Sequence, residues 1–103
     1  MREDGGAALK VVVRLGSALR THAGGSPCLE FDLPAPVSVG DILDAVDALH
    51  PAIGRRVRDE AGTMRRHVNV FVGSDNMRDL DSVGTIVPEG AEVALLPAIS
   101  GGG

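Results

Sequence analysis

Residues Ser38–His50, SVGDILDAVDALH, decide the fold of this chain. Val39, Ile42, Leu43, Val46 and Leu49 recur at three- and four-residue spacing, so they share one stripe of an α-helix. Ser38 stands as N-cap with Asp41 three residues on, the reciprocal arrangement of a capping box. His50–Pro51 ends the segment, because the residue before a proline is pushed out of helical geometry. Asp41, Asp44 and Asp47 fall on the polar side and read as a solvated face rather than a metal site. A helix that is apolar on one stripe needs a sheet to cover it, and the flanking sequence has to supply that sheet.

Upstream, CLEFDL (Cys28–Leu33) alternates, with Leu29, Phe31 and Leu33 on one face. Before it, LKVVVRL (Leu9–Leu15) sends Leu9, Val11, Val13 and Leu15 to one side. Gly24–Gly25 and Ser26–Pro27 punctuate the link between them, which predicts a hairpin with a short irregular turn at Ser17–Arg20. PAPVS interrupts the chain ahead of the helix. Downstream, Ile53 to Met64 reads as a connector with at most one helical turn. HVNVFVG (His67–Gly73) is the clearest strand, GSDN supplies a turn, and MRDL is a candidate short edge strand. DSVGTIVPEGAEV reads as a loop closing on the turn Pro88–Gly90, and EVALL (Glu92–Leu96) is the last strand. The order β-β-α-β-(β)-β predicts an α+β domain of the β-grasp, or ubiquitin-like, kind: a mixed sheet of four to five strands with one main helix. The domain is expected over residues 9–96, between a disordered N-terminus (1–8) and an extended flexible tail (97–103).

Composition narrows the function classes. The chain has 103 residues, a single-domain length. Without Trp or Tyr, and with Phe31 and Phe71 the only aromatics, its core has to be built from Val, Leu, Ile and Ala. No apolar run approaches the roughly 20 residues that span a bilayer, and MREDGGAALK lacks the layout of a secretory signal. A cytoplasmic protein is the expectation. Cys28 is the single cysteine, so an internal disulfide is excluded. A net charge of −4 argues against nucleic acid as partner. One basic block exists, Arg55, Arg56, Arg58, Arg65, Arg66 and His67. It is broken by Asp59 and Glu60 and lacks aromatics for base stacking, so it reads as a solvated loop, with an acidic protein surface as the next reading.

Catalytic constellations are missing from the pattern. His22, His50 and His67 have no ligand spacing, and Cys28 has no CxxC partner and reads as a small buried hydrophobe. Gly24–Gly25 lacks the strand-to-helix context of a phosphate loop, and nothing resembles a nucleophile elbow. The expectation from these residues is a non-enzyme that holds no metal. What remains is the ending PAISGGG. Seven residues beyond Leu96 reach roughly 23–25 Å. Pro97 stiffens the exit and opposes continued pairing. Gly101–Gly103, lacking Cβ atoms, fit a channel as narrow as a backbone, and the carboxylate on Gly103 is open from every side. Such a carboxylate reacts only after activation, most simply adenylation. From composition alone, a reagent tail and an inert glycine-rich linker stand equal.

Three stretches carry a resemblance: KVVVRL at the start, HVNVFVG in the middle, and above all VPEGAEVALLPAISGGG at the end. Together they are similar to the ubiquitin-like sulfur carriers, the family of the molybdopterin-synthase small subunit and the thiamine and cysteine-biosynthesis carriers. The resemblance covers roughly residues 9–103. It implies a ubiquitin-activating-like adenylyltransferase/sulfurtransferase as one partner and a sulfur-accepting biosynthetic enzyme as another. It also implies that Gly103 bears the thiocarboxylate while Gly101 and Gly102 thread into the partner's site, and that the carrier binds no cofactor of its own. The family ending usually has two glycines and this chain has three. Partners that measure from the tip use Gly103, and partners that measure from the domain use Gly102. Protein modifiers share the same activation chemistry and form the alternative reading. Strand alternation places Val12, Phe71 and Leu96 on the outer face, and with Pro97 at the tail's root they are the candidate docking surface.

Overall fold

The computed structural model describes residues 8–97. Strand β1 (Ala8–Leu15) and strand β2 (Cys28–Pro34) form the expected antiparallel hairpin, with Val11 opposite Phe31 and Val13 opposite Leu29. The link between them is more regular than the sequence indicates. A single α-turn, α1 (Ser17–Arg20), runs into a 3-10 turn at Thr21–Ala23, and Leu19 and Ala23 are buried beneath it. Strand β3 (Val37–Ser38) then leads into helix α2 (Val39–Leu49).

The cap of α2 is the one expected. Ser38 Oγ accepts from the Asp41 N–H at 3.1 Å, and an Asp41 carboxylate oxygen accepts from the Ser38 N–H at 3.0 Å. Ser38→Ala should therefore cost about 1 kcal/mol, read from the denaturant midpoint. Val39, Ile42, Leu43 and Val46 are buried along the stripe, but Leu49 is 55% exposed. The cause is a break at His50, whose φ of −134° and ψ of 83° end one helix and start another. Helix α3 (Pro51–Val57) replaces the connector expected there, and Ile53 and Val57 take the core positions beyond the break. Pro51 is the signal that was open to a second reading. A proline that stops one helix is equally suited to the first turn of the next, where no N–H partner is needed.

Gly54 sets how closely α3 lies on α2. A Cβ built on Gly54 would sit 2.9 Å from the Asp47 Cβ and closer still to its carboxylate. Gly54→Val should cost about 1–3 kcal/mol by prying the helices apart, measured by urea or thermal unfolding.

The chain then forms β4 (Val68–Val72), which pairs with a two-residue edge strand, β5 (Asp75–Asn76), through a turn that needs Gly73 at φ 63°. The edge strand thus precedes MRDL, and Met77–Asp79 is instead a 3-10 turn with Met77 buried. Another 3-10 turn, Ser82–Gly84, precedes β6 (Ile86–Val87) inside the expected loop. Strand β6 pairs with β3 in a small second sheet. Strand β7 (Glu92–Pro97) closes the fold.

The main sheet is five-stranded in the order β2-β1-β7-β4-β5. Strands β1 and β7 run parallel at its centre, and the other neighbours are antiparallel. One sheet face, with Val11, Val13, Val68, Val70, Val93 and Leu95, joins the apolar stripes of α2 and α3 in one core. This is the β-grasp architecture, and it puts the last strand in the middle of the sheet.

Candidate functional site

The sheet face opposite the helices and the end of β7 form the candidate site. Alternation along a strand is strict, so burying Val93 and Leu95 turns Glu92, Ala94 and Leu96 outward. The ladder then fixes their neighbours. Val12 lies opposite Glu92, Phe71 opposite Ala94, and Asn69 opposite Leu96. Adjacent strands stand roughly 4.8 Å apart, so these positions are side-chain neighbours directly or on the diagonal. Val12, Ala94, Phe71 and Leu96 therefore run as one apolar band across three strands. Leu96 is 39% exposed, while Val12, Ala94 and Phe71 are half-buried.

Three of the four sequence-based candidates on this face are thus brought together, and Ala94 joins them. Alternation alone could have found Ala94, but nothing in the sequence reveals that it lies between Val12 and Phe71. The strand takes in Pro97, opposite Val68, so pairing runs one residue further than the proline was expected to allow. A proline at the strand's last position sacrifices only its own missing donor. Gly101, Gly102 and Gly103 lie outside the described residues, as does the N-terminal stretch 1–7.

Charged side chains flank the band and cross it. Arg14 and Glu92, 3.5 Å apart, stand on the diagonal that crosses the one from Val12 to Ala94, and Lys10 meets Glu30 at 3.6 Å beside Val12; both pairs lie in solvent, where they contribute little to stability. On the other flank, Asn69 Oδ1 accepts from Asn76 Nδ2 and from Arg78 Nη1, each at 3.3 Å. Arg78 Nη2 also donates to the carbonyls of Arg66 (3.1 Å) and Val68 (3.2 Å), which ties down the segment entering β4.

The root of the tail is held from both sides. The Gly16 N–H donates to the Leu95 carbonyl at 2.8 Å, and Arg20 Nε donates to the Leu15 carbonyl at 2.9 Å. On the far side, Leu96 and Pro97 are registered with Asn69 and Val68. A segment leaving here departs from a fixed point in the centre of a sheet rather than from a loose edge.

The remaining sequence candidates are scattered. Among the described residues no group of three or more His, Cys, Asp or Glu side chains is arranged to hold a metal. Asp44 bonds Arg58 at 2.9 Å, and Asp41 is spent on the helix cap. Cys28 is half-exposed opposite Arg14 on the outer face, not the buried hydrophobe expected, because it sits at the very start of β2. The basic block is not a simple loop either. Arg55 and Arg56 occupy the last turn of α3, and Arg65 Nε donates to the Arg55 carbonyl at 2.7 Å. Among the described residues no helix is long and apolar enough to cross a membrane.

This geometry has relatives. The model of the ThiS family matches residues 13–102. The chain is 27% identical over 96 residues to the sulfur carrier protein CysO of Mycobacterium tuberculosis, covering 91% of this chain and 100% of that protein. It is 35% identical over 78 residues to small archaeal modifier protein 1 of Haloferax volcanii, covering 76% of this chain and 85% of that protein. The crystal structure of that modifier superposes with a TM-score of 0.78 at 32% identity, covering 89% and 98% of the two chains. A chain in the crystal structure of the Amycolatopsis orientalis BexX/CysO complex superposes with a TM-score of 0.77 at 31% identity, covering 88% and 98%.

Proposed function

The chain belongs to the ThiS family of ubiquitin-like carriers, and from that premise we propose that it is a sulfur carrier whose reagent is the carboxyl group of Gly103. The observation that carries the reading is a glycine ending placed after a strand that is anchored at the sheet centre by Gly16 and by β4. The domain then acts as a handle, working in the cytoplasm and performing no chemistry of its own.

The chemistry follows from the poor reactivity of a carboxylate. In a ubiquitin-activating-like partner, an oxygen of the Gly103 carboxylate attacks the α-phosphorus of ATP and pyrophosphate leaves. A sulfur nucleophile then attacks the acyl-adenylate carbon and AMP leaves. Where sulfide is the nucleophile, a thiocarboxylate remains directly; where a persulfide is the donor, a thiol of the activating partner attacks the donor's sulfur, forms a disulfide with it and releases the thiocarboxylate. In the acceptor enzyme, the thiocarboxylate sulfur attacks an electrophilic carbon of the substrate and displaces its leaving group, and hydrolysis of the resulting thioester leaves the sulfur on the substrate and returns the Gly103 carboxylate. Gly101 and Gly102 supply a stem without side chains that passes through the partner's channel. Val12, Phe71 and Leu96, with Pro97 at the root, dock the domain so that the stem enters in register. The BexX/CysO complex supports the docking of such a carrier on a second protein, since it pairs a CysO with one.

Similarity to small archaeal modifier protein 1 favours one second reading, a protein modifier that forms an isopeptide through Gly103. Intact-protein mass spectrometry separates the two. After incubation with the activating enzyme, ATP and sulfide, a carrier exchanges one oxygen of its own terminus for sulfur. A modifier instead appears on lysines of other proteins. A terminus that stays an ordinary acid under both conditions rejects both.

A further inference from the structure

The basic block, divided in sequence, is assembled in space. Arg55 and Arg56 from α3, and Arg65 and His67 from the segment before β4, wall a cleft of about 600 Å³ lined also by Ala18, Ala52 and, at its base, the buried Leu19. No carboxylate of the described residues lines it. This is a local inversion of sign in a chain of net charge −4. The walls are also braced: Arg65 Nε is bonded to the Arg55 carbonyl, and Arg78 holds the Arg66 carbonyl next to His67. Preorganised cations lose less freedom when they bind.

The position matters as much as the charge. His67 immediately precedes Val68, which is registered with Pro97 at the end of β7. Ala18 follows shortly after Gly16, which grips Leu95 on the other side. The cleft therefore opens beside the root of the tail, and a protein that takes the tail has to pass over this edge.

Resting on the sulfur-carrier reading, we infer that this cleft receives an acidic segment, with small apolar residues against the floor, from the protein that adenylates the tail. An acidic protein fits better than a nucleic acid. The lining holds no Phe, Tyr or Trp on which a base would stack, and the rest of the surface carries net negative charge that repels a polyanion. Charges at such a site chiefly speed association and select the partner.

The test is direct binding of the full-length chain to the activating enzyme of the same organism, without ATP or sulfide, by stopped-flow and calorimetry. Arg56→Gln and Ser74→Glu change net charge equally, but Ser74 is exposed in the turn between β4 and β5, at the end of β4 away from the cleft and outside the apolar band. Arg56→Gln should weaken binding about fivefold, mostly through a slower association rate, and flatten its salt dependence. Ser74→Glu should stay within about twofold. Circular dichroism confirms that both variants fold. Equal losses for the two variants, no loss for Arg56→Gln, or no binding by the native chain overturns the inference. So does tighter binding of a single-stranded 20-nucleotide DNA than of the enzyme at the same salt concentration. Because no thiocarboxylate has to form, a chain that binds through Arg56 yet never gains sulfur refutes the carrier function while leaving the docking site intact.

Discussion

A single alanine added after Gly103 should reduce adenylation by about 100-fold or more, while the unfolding midpoint stays that of the native chain. The reacting carboxyl is moved by a full residue, and misplacing a reacting group by even 1 Å costs on the order of 100-fold in rate. Pyrophosphate release with the activating enzyme measures the loss. Gly102→Val should act in the same direction for a different reason, by placing a branched side chain where the channel accepts only backbone. An unfolding midpoint equal to that of the native chain in both variants separates a loss of activity from misfolding. Undiminished pyrophosphate release from the extended chain would mean that the free terminus is not the reagent.

The second large effect comes from two adjacent residues with opposite fates. Leu95 is fully buried against the helices, and Leu96 faces outward beside the tail. Leu95→Ala should destabilise the domain by about 2–5 kcal/mol, since it removes buried methyl groups from a core that cannot fully collapse around the gap. That is a sizeable part of the roughly 5–15 kcal/mol that holds a domain together. Leu96→Asp should cost under about 1 kcal/mol of stability. It should nevertheless lower kcat/KM with the activating enzyme about 30-fold, the effect of a charge set into an apolar interface centre. Denaturant melts and steady-state rates on the same two proteins separate packing from docking. A Leu96→Asp protein with native kcat/KM would place the docking face elsewhere.

The legible parts of this molecule share a physical origin. The alternation in β1, β2, β4 and β7 and the stripe of α2 were readable because each reports backbone geometry over a few residues. The capping box was readable for the same reason, since its two hydrogen bonds span three residues. Helix α3 escaped because it is short, lacks a side-chain cap, and opens on a proline that reads equally well as a stop. Strands β3 and β6 escaped because two-residue strands carry no period at all. Leu49 was misplaced because it is the last residue of α2, where Ile53 and Val57 of α3 take the core positions that a longer stripe would have filled.

By itself, the sequence determined that β1, β2, β4 and β7 are strands and α2 a helix, which side chains those strands turn inward, and that Gly101–Gly103 follow shortly after a proline. Only the tertiary structure decided that β7 lies between β1 and β4, that Ala94 completes a band with Val12, Phe71 and Leu96, and that arginines ten residues apart wall one cleft beside the tail. The division is physical. Period and capping are set by neighbours along the chain, whereas adjacency across a sheet is chosen by the burial of the whole core and the closure of every loop at once.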